Sequence, residues 1–361
     1  MASPKKIRVI QLIDSLEPGG AERMAVSYAN ALYKKTGFGA LITTRAEGSL
    51  KDQLEEKVVY GFLNRKSTLD FKALWHLKKI VVSNKITHIQ AHSSSIFFSV
   101  LLKIIIPKIH IIWHDHYGKS EILDQRPTLA LQIASLFINQ IITVNYKLED
   151  WANNKLWCKK VEYLPNFTGV NIVNTVVPTI LQGENEKRIV CLANLRQQKN
   201  HLLLLKVAKI INKSHPDWTF HLIGKDFNDD YSIMIKEEIK TLSLAKTVFV
   251  YGSKNDISAI LNQATIGILT SSSEGLPVAI LEYGFHKLPI VATSVGEIPM
   301  VISEDEGILV ESDCISDFVV ALKTLVNNST LINKLATNLH KKIVQNYSEE
   351  AVLKLYLKSV Y

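Results

Sequence analysis

NIVNTVVPTILQGENEKR, residues 171–188, is where the periodicity of the chain breaks. The stretch gathers polar residues around Pro178 and then gives way to the β-branched run IVCLANL (189–195). A loss of periodicity followed by a restart reads as a linker between two folded parts. Working backward, IRVIQLID (7–14), GALITTR (39–45), THIQAH (87–92), IHIIWH (109–114) and IITVN (141–145) are short apolar runs separated by helix-period segments. Working forward, TFHLIG (219–224), VFVYG (248–252), TIGILTSS (265–272), LPIVAT (288–293) and GILVE (307–311) repeat the alternation. Strands alternating with helices predict parallel, doubly wound sheets. The fold class is therefore α/β, two Rossmann-like domains facing a cleft, with boundaries at 1–170 and 171–345. A last segment, 346–361, contains the Ser–Glu start and helical spacing of SEEAVLKLYLKSVY (348–361) and is expected to pack back on the first domain.

Composition supports this reading. A chain of 361 residues, 47% of them apolar, is too long for one ordinary core and able to fill two. Cys158, Cys191 and Cys314 are far apart and form no CxxC pair, which fits a reducing, cytoplasmic setting and offers no zinc framework. The apolar run Ile7 to Ile13 contains Arg8 and Gln11 and reads as a strand, not a secretory leader. Ile96 to Trp113 is interrupted by Lys103, Pro107, Lys108 and His110 and lacks the uncharged length of a membrane span. The net charge of +8 is spread along the chain without aromatic interleaving. That makes nucleic acid the weakest partner and leaves a phosphorylated substrate or an anionic membrane surface. KALWHLKKIVVSNK (72–85) combines Lys72, Lys78 and Lys79 with Leu74, Trp75 and Leu77, so it reads either as a lipid-docking helix or as a solvated helix over the core.

Four stretches carry chemistry. SSSEGLPVAILEYGFHKLPIVAT (271–293) places Glu274 and Glu282 eight positions apart around a Gly275–Leu276–Pro277 turn that opens a helix. Free amides and the dipole at such a helix start suit a phosphate, and Glu282 falls about a turn and a half further on. The alternative is a helix start with two surface carboxylates. LIDSLEPGGAERMAVSYANAL (12–32) bares the backbone at Gly19 and Gly20 between a strand and a helix, although a plain turn has the same appearance and no G-x-G-x-x-G accompanies it. IVCLANLRQQKN (189–200) ends a strand with Arg196 and Lys199, cations suited to a diphosphate or, alternatively, only solvated. Finally, IHIIW leads into His114, Asp115 and His116; the H-x-H spacing lacks a third ligand in sequence, so no metal site is expected, and His92 is given a structural role.

The first of these stretches resembles the donor-binding signature of the retaining, family-four glycosyltransferases of GT-B fold, also termed glycosyl transferases group 1. GGAER (19–23) is similar to their first-domain loop, and Lys199 falls at the lysine of their G-R-L-x-x-x-K pattern, with Ala193 and Asn194 departing from it. The resemblance spans most of the chain in order. It implies a nucleotide-sugar donor, UDP- or GDP-linked, a saccharide or lipid-linked saccharide acceptor, and no cofactor or metal. By it, Glu274, Lys199 and a histidine (His114, favoured over His116) serve catalysis, with Glu274 at the sugar hydroxyls and Lys199 at the diphosphate. Gly19, Gly20, His116, Arg196, Gly275, Leu276, Pro277 and Glu282 then line the substrates, Glu282 at the ribose. The rival readings are a sugar-nucleotide epimerase of the same architecture and a silent sugar-nucleotide-binding protein.

Overall fold

The computed structural model describes residues 7–118, 120–167 and 178–360. The domain boundary expected at 170/171, and the first part of the linker, lie outside the described residues. By its contacts the chain divides into two units, residues 1–167 with 349–361, and residues 168–348.

Unit 1 holds β1 (Val9–Ile13), β2 (Ala40–Thr43), β3 (Val59–Phe62), β4 (His88–His92), β5 (His110–Asp115), β6 (Gln140–Thr143) and β7 (Val161–Tyr163). They form one parallel sheet in the order β3-β2-β1-β4-β5-β6-β7. Its helices are α1 (Gly20–Thr36), α2 (Phe71–Ser83), α3 (Ile96–Ile105), α4 (Leu129–Ser135) and α5 (Tyr146–Lys155). Strand alternation divides the side chains between two faces. Ile10, Leu12, Ile89, Ala91, Ile111, Trp113 and Ile141 build one core together with α2 and α3, whereas Ile13 and Leu41 pack with Ala25, Val26 and Ala29 of α1.

Unit 2 repeats the plan with β8 (Arg188–Leu192), β9 (Thr219–Ile223), β10 (Val248–Gly252), β11 (Ile266–Leu269), β12 (Ile290–Thr293) and β13 (Gly307–Val310), ordered β10-β9-β8-β11-β12-β13 and all parallel. Around them lie α6 (His201–Ser214), α7 (Asp230–Thr241), α8 (Ile257–Leu261), α9 (Val278–Phe285), α10 (Ile298–Val301), α11 (Ile315–Val326) and α12 (Ser329–Asn346). A final helix, α13 (Glu349–Val360), belongs to unit 1, where the Tyr356 ring lies 5.0 Å from that of Tyr28 on α1.

In each sheet the strand order reverses once, between β1 and β4 and between β8 and β11. The loops leaving the carboxyl ends of these strands diverge there and open a crevice, the place where doubly wound sheets bind ligands. All four chemistry-bearing stretches fall on these loops or on the next strand along.

Candidate functional site

In unit 2, the two strands at the reversal are neighbours, and the loops that follow them meet. After β8, Gln197–Lys199 forms a 3₁₀ turn; after β11 comes Ser271–Pro277. Lys199 Nζ lies 2.5 Å from Glu274 Oε1, and the Ser271 hydroxyl donates to the same oxygen at 2.6 Å. Glu274 is only 6% exposed, so its charge depends on these donors. The backbone is tied to match. Thr270 Oγ1 donates to the Lys199 carbonyl (3.0 Å), Ser272 N–H to Gln198 (2.9 Å) and Thr293 Oγ1 to Ser271 (2.6 Å). Gly296 underlies the loop with φ of +58°, and a Cβ there would stand 2.0 Å from the Glu274 carbonyl oxygen. Both the conformation and the space demand glycine. Ser271 opens the quoted glutamate stretch three residues before Glu274, whereas Gly296 has no local signal in the sequence.

Helix α9 begins at Val278, with Pro277 extended before it and no side-chain cap, so its first amides are not claimed by a capping side chain. Leu276 is 3% exposed and Pro277 is buried, so their side chains point away from solvent. Tyr283 anchors the helix: its hydroxyl accepts from the Leu192 N–H at 2.7 Å, and its ring fills the space that Gly267 leaves open on β11. Glu282, the preceding residue, is partly exposed. By contrast, the start of α6 is already occupied by its own cap, Asn200, whose side chain accepts from Leu203 N–H. Arg196 is exposed and lies over the Phe227 ring at 4.0 Å. Asn194, the departure from the arginine pattern, accepts from Lys225 N–H at 2.7 Å and ties the end of β8 to the strand beside it.

In unit 1, Gly19 caps α1 and Gly20 is its first residue. The Glu22 carboxylate folds back over Gly19, where a Cβ would approach it to 2.2 Å, and burial raises its pKa. A Cβ on Gly20 would meet nothing within 4 Å.

One strand pair further, the structure corrects the expectation that His114 and His116 lack a third partner. His92 and His114 stand in register on β4 and β5, and His116 follows two residues on. The three imidazoles offer nitrogens all within 4.8 Å of one another. His92 Nδ1 lies 2.9 Å from His116 Nε2, His92 Nε2 lies 2.8 Å from Gln11 Oε1, and His114 Nδ1 lies 3.0 Å from Gln90 Nε2. Burial holds His92 and His114 well below the usual imidazole pKa and His116 down to about 3, so all three are neutral near pH 7. His114 is fully buried and edge-on to Tyr28; His116 is the partly exposed member. Asp115 is taken by Arg126, which makes two bonds to it at 2.6 and 3.0 Å over Tyr117 and Trp151.

Residues 178–345 match the family model described as glycosyl transferases group 1. The match spans most of the second unit, which is similar to that family. An uncharacterized glycosyltransferase of Haemophilus influenzae is 27% identical over 87% of this chain and 88% of its own length. The UDP-Gal:alpha-D-GlcNAc-diphosphoundecaprenol alpha-1,3-galactosyltransferase of Escherichia coli is 26% identical, covering 95% and 93%. Among solved structures, HepE from Anabaena in complex with UDP and glucose superposes with a TM-score of 0.80 at 16% identity over 98% of this chain and 99% of that one. The fold is thus that of the GT-B glycosyltransferases.

Proposed function

We propose that this chain is a glycosyltransferase that moves a hexose from a UDP- or GDP-sugar to a saccharide or lipid-linked saccharide with retention of configuration and without a metal ion. The observation that carries this reading is the Lys199–Glu274–Ser271 cluster beside the uncapped start of α9. A lysine ammonium has three N–H donors, and Glu274 takes one. The others, with the α9 amides and the positive end of that helix, stabilise a departing diphosphate. Glu274 then orients hydroxyls of the transferred sugar, and Glu282 holds the ribose, while Arg196 adds charge at the rim. Gly275, Leu276 and Pro277 contribute backbone only. In a front-face displacement the leaving phosphate takes the acceptor's proton, so Glu274 is not required as a covalent nucleophile. Acceptor recognition falls to unit 1, at Gly19, Gly20 and the histidine cluster. There His116, the partly exposed member, supports a contact with the sugar, with fully buried His114 behind it.

A lipid-linked acceptor fits an enzyme working at an anionic membrane surface, and the E. coli relative is named for a diphosphoundecaprenol-linked substrate. No helix among the described residues is long and apolar enough to cross a membrane. Leu74 and Leu77 of α2 turn inward, but Phe71, Trp75 and Val82 on α2, Ile104 on α3, Leu129 and Ile133 on α4, and Leu136 just after it are each more than half exposed. Attraction of Lys72, Lys78 and Lys79 contributes about 1 kcal/mol each and fades with salt. Equal sedimentation with neutral and anionic vesicles at low salt rejects this surface.

The central experiment incubates EDTA-treated protein with a panel of UDP- and GDP-sugars, with and without saccharide acceptor, and reads product configuration by NMR. Acceptor-dependent formation of the retained anomer is expected. Inverted product, epimerised donor without acceptor, or activity restored only by a divalent ion overturns the reading.

A further inference from the structure

We infer that His92, His114 and His116 form a binding site for a divalent transition-metal ion of the zinc class, with three imidazole nitrogens as ligands and a fourth position left to water. This site goes beyond the transfer reaction, which does not call on a metal.

The hydrogen bonds fix which nitrogens are available. Gln11 Oε1 only accepts, so His92 Nε2 carries the proton and Nδ1 carries the lone pair. His116 Nε2 is therefore the donor across the 2.9 Å contact. His114 turns Nδ1 toward Gln90, which leaves Nε2 buried with no hydrogen-bond partner among the described residues, and Gln90 Oε1 is equally unmatched. With the Gln90 amide turned over, its Oε1 accepts from His114 Nδ1–H in place of the Nε2 contact, and His114 Nε2 carries a bare lone pair. A hydrogen-bonded cluster of core histidines accounts for His92 and His116 but gives that nitrogen nothing to do. A cation does.

The chemistry of the set suits zinc. Each of two imidazoles is backed by a glutamine amide on its far nitrogen, the kind of support that fixes the tautomer of metal-bound histidine. His116 needs only to move its proton from Nε2 to Nδ1, with no net proton lost. Zn–N bonds of about 2.0–2.1 Å place ligand nitrogens about 3.3 Å apart. The 2.9 Å contact opens by a few tenths of an ångström, and the widest separation, up to 4.8 Å, closes by about 1.5 Å, within reach of side-chain rotation. Bound, the ion clamps the end of β4 to β5 and the start of the loop after it.

The test is equilibrium dialysis of chelator-stripped, full-length protein against zinc chloride, with bound metal measured by mass spectrometry and Co(II) used as a visible-absorption probe. One zinc per chain and the intense bands of tetrahedral Co(II) are expected. Affinity falls at least tenfold in His116→Ala, whose partly exposed side chain can be removed without opening the core, and about tenfold in Gln11→Leu. A Cys314→Ser control binds as the parent. Well under one zinc per chain in the parent, or undiminished binding in a folded His116→Ala, overturns the assignment. If His114→Ala fails to fold, the parent stoichiometry and the His116 variant still decide it. Failure here leaves the transfer reaction untouched, because donor binding and turnover are read separately in EDTA.

Discussion

The two sheets bring their functional loops to the same topological position and dress them in opposite chemistry. In unit 2 the reversal point carries charge: a lysine, two glutamates and an uncapped helix start. In unit 1 the corresponding end carries imidazoles and glutamine amides beside a glycine turn, and Asp14 and Asp115 there are paired with Arg65 and Arg126. Winding decides where a ligand sits; the residues hung on the loops decide what it is. Fixed charge suits a diphosphate, whose negative charge grows on departure, and neutral hydrogen-bonding groups suit sugar hydroxyls.

The sharpest way to break this contrast is Lys199→Ala. If unit 2 supplies the charge that the leaving group needs, kcat/KM falls by about 10²–10³. Removing the lysine also leaves Glu274 buried without its cation, which costs up to about 3–5 kcal/mol of stability. Pairing it with Glu274→Gln separates the two effects. The double variant regains stability in denaturant melts while activity stays low. Recovery of activity along with stability would mean that Lys199 only supports the fold.

Acid separates the units next. His92 and His114 have folded pKa values far below those of the unfolded chain, near 6.5, so below about pH 6.5 the unfolded state binds more protons. Stability contributed by each is complete above that pH and is lost as pH falls, by about 1.4 kcal/mol per unit for each buried histidine. In unit 2, His201 and His221, each held down to about 4, act in the same direction. Four of the five tryptophans, Trp75, Trp113, Trp151 and Trp157, lie in unit 1, so in a Trp218→Phe protein fluorescence reports unit 1 alone. Its unfolding midpoint in urea is expected to drop between about pH 6.5 and 5, and His114→Gln flattens that slope. A pH-independent midpoint across that range contradicts the neutral cluster.

A smaller effect is expected from Glu282→Ala. Loss of a charge-assisted bond to the ribose weakens donor binding by about 1.5–3 kcal/mol, whereas the fold holds because Tyr283 anchors the helix independently. Calorimetric titration with donor measures it, and an unchanged Kd removes Glu282 from the ribose.

The strands with continuous apolar runs were legible in the sequence because burial on both faces leaves that pattern. β3 and β7 were not: Gly61 interrupts the four residues of the first, and the second is three residues long with Glu162 at its centre. Candidate residues on local motifs, Glu274, Lys199 and Gly20, are legible individually. What escaped was anything made by pairing across strands. His92 sits 22 positions before His114 in sequence, yet stands beside it because β4 and β5 pair in register. Gly296 was hidden for the same reason: the backbone it must avoid, at Glu274, arrives from the loop after another strand.

The finest test sets one glycine from each unit against the other. Gly296→Ala strains a left-handed φ of +58° and pushes a methyl into the Glu274 carbonyl oxygen, so it should destabilise unit 2 and displace the donor loop together. Gly20 is under no such constraint: it starts a helix, has no left-handed backbone, and would hold a Cβ in open space. Alanine there limits the unfolded chain and favours the helix, so stability should stay level or rise by up to about 1 kcal/mol. If a sugar or phosphate packs against the bare backbone of unit 1, the same methyl raises the acceptor KM with little change in donor binding. A Gly20→Ala enzyme with both stability and acceptor KM unchanged would reduce GGAER to turn chemistry and leave recognition in unit 1 to the histidines.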